Sequence, residues 1–345
     1  MSMINIAVLF GGKSSEYGVS LQSAASVMEN LLNEKYRIYP IGISPTGEWF
    51  YFKGNPDAIK SDTWLSELEQ LSPVSVTFGK NGGIWEDGDK KGKKKLNLDM
   101  VFPVLHGRFG EDGCVQGMLE LTELPVVGCG VLASALCMDK DRAHKLVSLE
   151  GIRVPKAVLI CKDEEKQEEI RELGLPVFVK PLKAGSSYGI TKVTNEEDIE
   201  NAIQEAFLHD NQVLIEENIE GFEVGCAITG NQELFCGRVD EIELSNGFFD
   251  FKEKYTLETS QIHMPARISK ELEAQIQEKA KLIYQCLGCK GMARVDLFLT
   301  PEGELVFNEV NTIPGFTSHS RFPNMMKGVG LEFNQLLDQI ISLLI

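Results

Sequence analysis

Asp296, Glu309 and Asn311 are the residues from which the chemistry of this chain can be read. Apolar segments 295–299 and 305–307 flank the turn signal Pro301-Glu302-Gly303, which predicts a β-hairpin. Glu309 and Asn311 are two positions apart, so on a strand they face the same way. In-register pairing lets Asp296 join them. Oxygen ligands with no His or Cys among them suit Mg²⁺ better than zinc. Mg²⁺ keeps waters and commonly takes substrate phosphates, so a nucleotide is its natural companion. The polar stretch 311–320, NTIPGFTSHS with a Pro314-Gly315 turn, follows at once. Such a loop brings backbone N–H groups near a metal-bound anion, which a surface hairpin with scattered acids would not need.

Other candidates stand where apolar runs meet glycine loops. Segment 4–10 reads as a buried parallel strand ended by Gly11-Gly12. A Gly/Ser loop holding Glu16 follows, then a helix with Leu21, Ala24, Ala25, Met28 and Leu31 at helical spacing. The G-x-G-x-x-G spacing is absent, which rejects a dinucleotide fold. A helix N-terminus favours an anion, so a carboxylate there suits a substrate ammonium or plain solvent. Segment 99–105 runs into HGRFGEDG and a helix over 115–122. His106 therefore stands at the carboxyl end of a parallel strand, where open α/β sheets bind ligands.

The middle of the chain adds lysines and acids. Segment 175–181 is a strand that carries Lys180 near its end, followed by the flap KAGSSYG over 183–189. The N–H groups of such a flap can hold phosphates, although G-x-x-x-x-G-K-[ST] is missing and a P-loop is excluded. Strand 212–216 ends at Glu216, and Glu223 lies seven residues on. The two can accept from an adenine amine and a ribose hydroxyl, as could any pair of surface acids.

These positions need elements to hold them. Segment 36–43 is a second strand, and 54–96 reads as irregular. Segment 133–149 is one helix carrying DKDR, closed by Gly151. Charged helices follow over 164–173 and 197–209. Strands 224–228 and 234–243 open a last unit. Loop 245–265, with Phe248, Phe249, Phe251 and Tyr255, is long enough to be functional. An amphipathic helix over 269–287 ends at Gly288, and a helix over 331–345 closes the chain. The expected division is 1–127, 128–215 and 216–345.

Composition narrows the partners. A net charge of −17 argues against nucleic acid and anionic membranes. The basic run KKGKKK over 90–95 reads as a solvated loop. No apolar run approaches the ~20 residues of a membrane span. Eight single cysteines in a 345-residue chain with no export signal favour reduced thiols in the cytoplasm. Cys286 and Cys289 match C-x-x-C but lack a second pair and straddle a helix end, so no redox or metal role is assigned to them.

Eight ordered motifs, FGGKSSEYGVSL, VLHGRFGEDG, ALCMDKDRAHK, VKPLKAGSSYG, GFEVGC, EKY, RVDLF and NEVNTIPGFTSHS, carry a resemblance along essentially the whole chain. It resembles the D-alanine–D-alanine ligases of the ATP-grasp superfamily, and most closely the vancomycin-resistance D-alanine–D-serine ligases of the VanG type. The resemblance implies an α/β (α+β) fold of three domains, the first built on an open parallel sheet, with ATP between the second and third. It implies a cytoplasmic homodimer that uses ATP and two Mg²⁺ ions, with Mn²⁺ as a substitute. Its substrates would be D-alanine and D-serine, or a second D-alanine.

The resemblance also assigns roles. Glu16 would hold the ammonium of the first D-alanine, with Val19 and His106 nearby. Ser186 and Tyr255 would close the site against Glu16. Lys140, Lys180, Ser187, Lys254 and Asn308 would serve ATP, with Glu216, Glu217 and Glu223 at its adenosine. Asp296, Glu309 and Asn311 would carry the metal ions. Arg294 and the Gly315 N–H would form an oxyanion site, and Ser318 and Ser320 would meet the second substrate. Loop 245–265 would be the lid. The family's Tyr-Asp-Tyr in that loop is Phe249-Asp250-Phe251 here, and the segment around Asp240 is nearer the serine-type ligases. A carboxylate such as Asp240 can accept a serine hydroxyl. The expected reaction makes D-alanyl phosphate and then the dipeptide. The alternatives are ordinary D-alanine–D-alanine ligation and an inactive nucleotide-binding sensor of D-amino acids.

Overall fold

The computed structural model describes residues 3–31, 34–88, 92–162, 164, 166–183, 185, 189–244 and 260–345. Three sheets organise them. The first takes β1 (Ile4–Gly11), β2 (Tyr36–Ile43), β3 (Trp49–Phe52), β4 (Leu71–Thr77), β5 (Gly83–Glu86), β6 (Lys94–Lys95) and β7 (Met100–Pro103) in the order β6-β5-β4-β3-β2-β1-β7. Only β2-β1-β7 is parallel, and the other strands join antiparallel. The open parallel part is therefore one end of the sheet, closed by β7 at its edge. The stretch 54–96, expected to be irregular, contributes α2 (Pro56–Lys60) and three of the strands. Their signal is weak because they are short, half-exposed and, in β4, interrupted by Pro73. Helices α1 (Tyr17–Asn30) and α3 (Cys114–Glu120) start just beyond β1 and β7.

The second sheet is antiparallel, β10-β9-β11-β8, made of β8 (Ala157–Cys161), β9 (Val177–Pro181), β10 (Thr191–Val193) and β11 (Gln212–Glu217). Val177 and Val179 of β9 and Val213 and Ile215 of β11 share a core with Ile170, Ala202 and Ile203 of α6 (Gln167–Leu173) and α7 (Ile199–Phe207). Alternation then sends Lys180 and Glu216 to the opposite face.

The third sheet is also antiparallel, β14-β13-β12-β15-β16, from β12 (Phe222–Gly230), β13 (Leu234–Leu244), β14 (Ser260–His263), β15 (Gly291–Leu299) and β16 (Leu305–Asn311). One face is covered by α8 (Lys270–Cys286) together with α4 (Val131–Met138) and α5 (Lys140–Leu149). The single helix expected over 133–149 is thus two. Asp139 ends the first and caps the second, its carboxylate accepting from the Arg142 N–H at 3.1 Å. That break delivers Lys140 to the start of α5.

The other face of the third sheet meets α9 (Arg321–Lys327) and α10 (Phe333–Ser342). Phe316, Phe322, Met325, Leu336 and Leu337 share one core with Ile6, Val8, Phe10 and Leu21 of the first unit. Phe316 is the joint. Its ring lies 5.8 Å from Phe102, 5.7 Å from Phe322 and 6.1 Å from Phe333. Among the described residues no helix is long and apolar enough to cross a membrane. Phe316→Ala is expected to cost about 3–5 kcal/mol in urea unfolding; a loss under about 1 kcal/mol would show that the two units do not depend on this ring.

Candidate active site

One rung across the third sheet gathers the acids. Gly225 on β12 pairs with Asp240 on β13 and with Asp296 on β15, and Asp296 pairs with Glu309 on β16. Two rungs along, Arg294 pairs with Asn311. Alternation puts Glu223, Asp240, Arg294 and Asp296 on the face away from α8. Glu309 reaches that face by a β-bulge. Leu297 pairs with Phe307 while Asp296 pairs with Glu309, so Asn308 is the extra residue. Without the bulge Glu309 would follow Phe307 into the core.

Two guanidiniums balance this face. Arg294 donates from Nε and Nη2 to Asp296 at 2.8 and 2.7 Å, and Asn311 Nδ2 donates to the same carboxylate at 2.9 Å. Arg321, the first residue of α9, forks onto Asp240 at 2.7 and 2.8 Å and reaches Glu223 at 2.6 Å, with Asp296 at 3.4 Å. A Cβ at Gly225 would stand 2.3 Å from Arg321 Nη2, so only glycine lets the guanidinium lie across the sheet. Burial works against both positive charges. Asp296 beside Arg294, and Asp240 and Asp296 beside Arg321, outweigh it and hold both side chains above their ordinary pKa. Glu223, expected at the ribose end of the adenosine, accepts here from Arg321. Arg321 is the functional candidate that sequence reasoning passed over, because its partners lie 81 and 98 residues away.

The cleft facing the second sheet holds paired charges. Lys180 is ion-paired with Glu216, and Lys140 Nζ lies 3.6 Å from Glu309. His144, also passed over in the sequence, lies under them. Its Nε2 is 2.8 Å from the Asn308 carbonyl, so that nitrogen carries the hydrogen and Nδ1 is bare. Burial raises the pKa of Glu216, but the lysines Lys180 and Lys140 outweigh it and bring it below the usual value. Glu216 Oε1 and His144 Nδ1 are buried acceptors with no hydrogen-bond partner, 3.6 Å apart. Such acceptors fit a ligand that brings N–H donors, as a nucleobase amine does. Glu217 faces the other way, accepting from the Lys156 N–H at 2.9 Å.

The donor set for a metal is Asp296, Glu309 and Asn311. Among the described residues no group of three His, Cys, Asp or Glu stands ready for a metal. These three are all-oxygen donors that need further oxygens, which fits a hard cation arriving with phosphates.

The first unit supplies the third wall. Glu16 is enclosed by glycines. A Cβ at Gly107 or Gly185 would lie 2.4 or 2.6 Å from its Oε2. Val19 is half-buried on α1. His106 Nδ1 is 3.0 Å from the Ile313 carbonyl, and Nε2 is 3.2 Å from Ser23 Oγ. Glu111 accepts from the N–H groups of Gly107 at 2.8 Å and Ile313 at 3.2 Å. Ser320 Oγ accepts from the Thr317 N–H at 3.0 Å, and a Cβ at Gly315 would lie 2.7 Å from that oxygen. Ser318 is exposed, with its carbonyl 3.0 Å from Asn324 Nδ2. A cavity of about 410 Å³ opens beside Arg321, lined by Asp240, Gln261, Ile262, Met264, His319 and Asn324. Ser186, Ser187, Phe249, Lys254 and Tyr255, and the lid expected over 245–265 as far as residue 259, lie outside the described residues.

Burial, with the charge of Glu16 next, pushes the Glu111 carboxyl from 4.5 up to about 8. Between those values the folded chain binds the extra proton and the unfolded chain does not, so stability falls as pH rises through this window. Glu111→Gln is expected to flatten that fall, measured by urea unfolding at about pH 5 and about pH 8.5. An equal fall in the variant would place the proton elsewhere.

The family profile described as D-ala D-ala ligase N-terminus matches residues 5–129, and that described as D-ala D-ala ligase C-terminus matches residues 146–342. The vancomycin C-type resistance protein VanC1 of Enterococcus gallinarum is 46% identical over 345 residues, covering 99% of this chain and 98% of that protein. A D-alanine–D-alanine ligase of Caldicellulosiruptor bescii is 43% identical over 361 residues, covering 100% of this chain and 96% of that protein. The crystal structure of VanG D-Ala:D-Ser ligase from Enterococcus faecalis superposes with a TM-score of 0.92 at 55% identity, covering 100% of both chains.

Proposed function

The chain belongs to the D-alanine–D-alanine ligase family, and from that premise we propose that it joins D-alanine to D-serine for peptidoglycan precursors of the vancomycin-resistant type. It has the ATP-grasp fold and is an ATP-dependent ligase that joins D-alanine to a second D-substrate.

The observation that carries the serine reading is the Asp240–Arg321 pair beside the 410 Å³ cavity. A carboxylate offers about four lone-pair sites. Asp240 fills three, accepting from Arg321 Nε and Nη2 and from the Gly225 N–H at 3.1 Å. The remaining site on Oδ2 suits the hydroxyl of D-serine. D-alanine would leave it unpaired, and a buried acceptor without a partner discriminates well. The identity to VanG D-Ala:D-Ser ligase supports the same reading.

The proposed mechanism gives these side chains the following roles. The carboxylate of the first D-alanine attacks the γ-phosphate of ATP, giving D-alanyl phosphate and ADP. Glu16 holds its ammonium under Gly107 and Gly185. The amine of D-serine then attacks the acyl carbon, and the tetrahedral oxyanion expels phosphate. Arg294 and the Gly315 N–H stabilise that oxyanion, and losing one such donor commonly costs about 10²–10³ in rate. Ser320 takes the second carboxylate. Lys140 and Lys180 exchange their acidic partners for phosphate oxygens, and Glu216 accepts from the adenine amine. Mg²⁺ held by Asp296, Glu309 and Asn311 would supply charge neutralisation on the transferred phosphoryl group. Loop 245–265, with Lys254 and Tyr255, would exclude water from the acyl phosphate. We place the enzyme in the cytoplasm as a homodimer. Eight free thiols support a reducing compartment.

A second reading, D-alanine–D-alanine ligation, is favoured by the 43% identity to the Caldicellulosiruptor bescii ligase. One assay separates the two. Purified protein receives ATP, Mg²⁺, and D-alanine and D-serine at equal concentrations, and the dipeptides are identified by mass. Mostly D-alanyl-D-serine supports the proposal, and mostly D-alanyl-D-alanine overturns it. No dipeptide and no phosphate release would favour a sensor. Asp240→Ala is expected to lower kcat/KM for D-serine about tenfold or more relative to D-alanine, and an unchanged preference would remove Asp240 from the account.

A further inference from the structure

We propose that Ser23 and His106 are positioning residues that hold the Pro314-Gly315 turn, and that His106 serves the reaction through this turn and not by touching D-alanine. The proposal rests on the reading of the Gly315 N–H as an oxyanion donor.

Donor and acceptor bookkeeping carries it. The Ile313 carbonyl can only accept, so His106 Nδ1, at 3.0 Å, must carry the ring hydrogen. In the neutral ring that leaves Nε2 as an acceptor, and it takes the Ser23 hydroxyl hydrogen at 3.2 Å. The hydroxyl oxygen keeps lone pairs, and one accepts the Phe316 N–H at 3.3 Å. The chain of bonds starts at Ile313 and returns to Phe316, bracketing Pro314 and Gly315. Every member is buried: Ser23 and Phe316 are 0% exposed, Ile313 3% and His106 5%. Glu111 fixes the same loop from its other side by accepting the Ile313 N–H. Burial lowers the His106 pKa against the opposing pull of Glu16, which keeps the ring neutral as the bonding requires. An imidazolium would have no lone pair for Ser23.

Ser23 is what makes the proposal testable, because its hydroxyl is already spent between His106 and Phe316. Ser23→Ala breaks the circuit at the hydroxyl. His106→Asn keeps an amide donor for the Ile313 carbonyl and loses the link to Ser23. Each variant is expected to lower kcat for dipeptide formation roughly tenfold to a hundredfold, a part of what removing an oxyanion donor outright costs. KM for the first D-alanine and for ATP should change by less than about twofold, since uniform binding is untouched. The double variant should be no slower than the slower single, because both cut one circuit. Wild-type kcat in Ser23→Ala overturns the proposal. So does a raised KM for D-alanine with kcat intact in His106→Asn, the signature of a substrate contact. A kcat that falls together with the affinity for ATP also overturns it, since general loss of structure does that. The wild-type control reads the ligase assignment by itself: no dipeptide there overturns that assignment and this proposal together.

Discussion

Four carboxylates, Glu223, Asp240, Asp296 and Glu309, crowd one end of the third sheet, and two buried guanidiniums and a lysine hold them in place. Like charges about 4 Å apart repel by several kcal/mol even at an effective dielectric of about 20. The arrangement is stable only because each carboxylate has a geometrically matched cation. Arg294 and Arg321 present planar forks that a lysine could not copy. Gly225 provides the flat ground on which Arg321 lies. Removing one partner of such a buried set costs far more than the set contributes as a whole.

From this face the rest of the site is strung. Arg321 opens α9, so its ion pairs anchor the end of the loop that begins at Asn311. The loop's middle is held by the first unit, through Ser23, His106 and Glu111, and its Phe316 is set in the core common to both units. The loop is thus fixed at both ends and in its centre by different parts of the chain. A turn that must present an N–H to a developing charge gains from such fixing, because no reorganisation is left for the moment of reaction.

Much of this was legible in the sequence where a local rule governs. The hairpin with Asp296 and Glu309, the strand ends that carry Lys180 and Glu216, and the position of His106 follow from alternation and from where strands meet glycines. Long-range partners were not legible. Asp240, Glu223 and Arg321 are far apart in sequence, and only the register of β13, β12 and α9 unites them. The bulge at Asn308 is invisible to a period-two count, which would put Phe307 and Glu309 on one face. Asp139 carries an N-cap signal, but the apolar spacing runs on through it and hides the break between α4 and α5. The strands between 71 and 95 are short or half-exposed and carry no apolar run.

The central claim is that Arg321, by fixing Asp240, sets which second substrate is joined. Arg321→Met keeps most of the side-chain volume and removes the charge. Its products from equal D-alanine and D-serine, weighed by mass, test the claim directly, because a product ratio is independent of how much active protein survives. The account predicts that the proportion of D-alanyl-D-serine to D-alanyl-D-alanine falls by about tenfold or more. An unchanged proportion, whatever the yield, would contradict it.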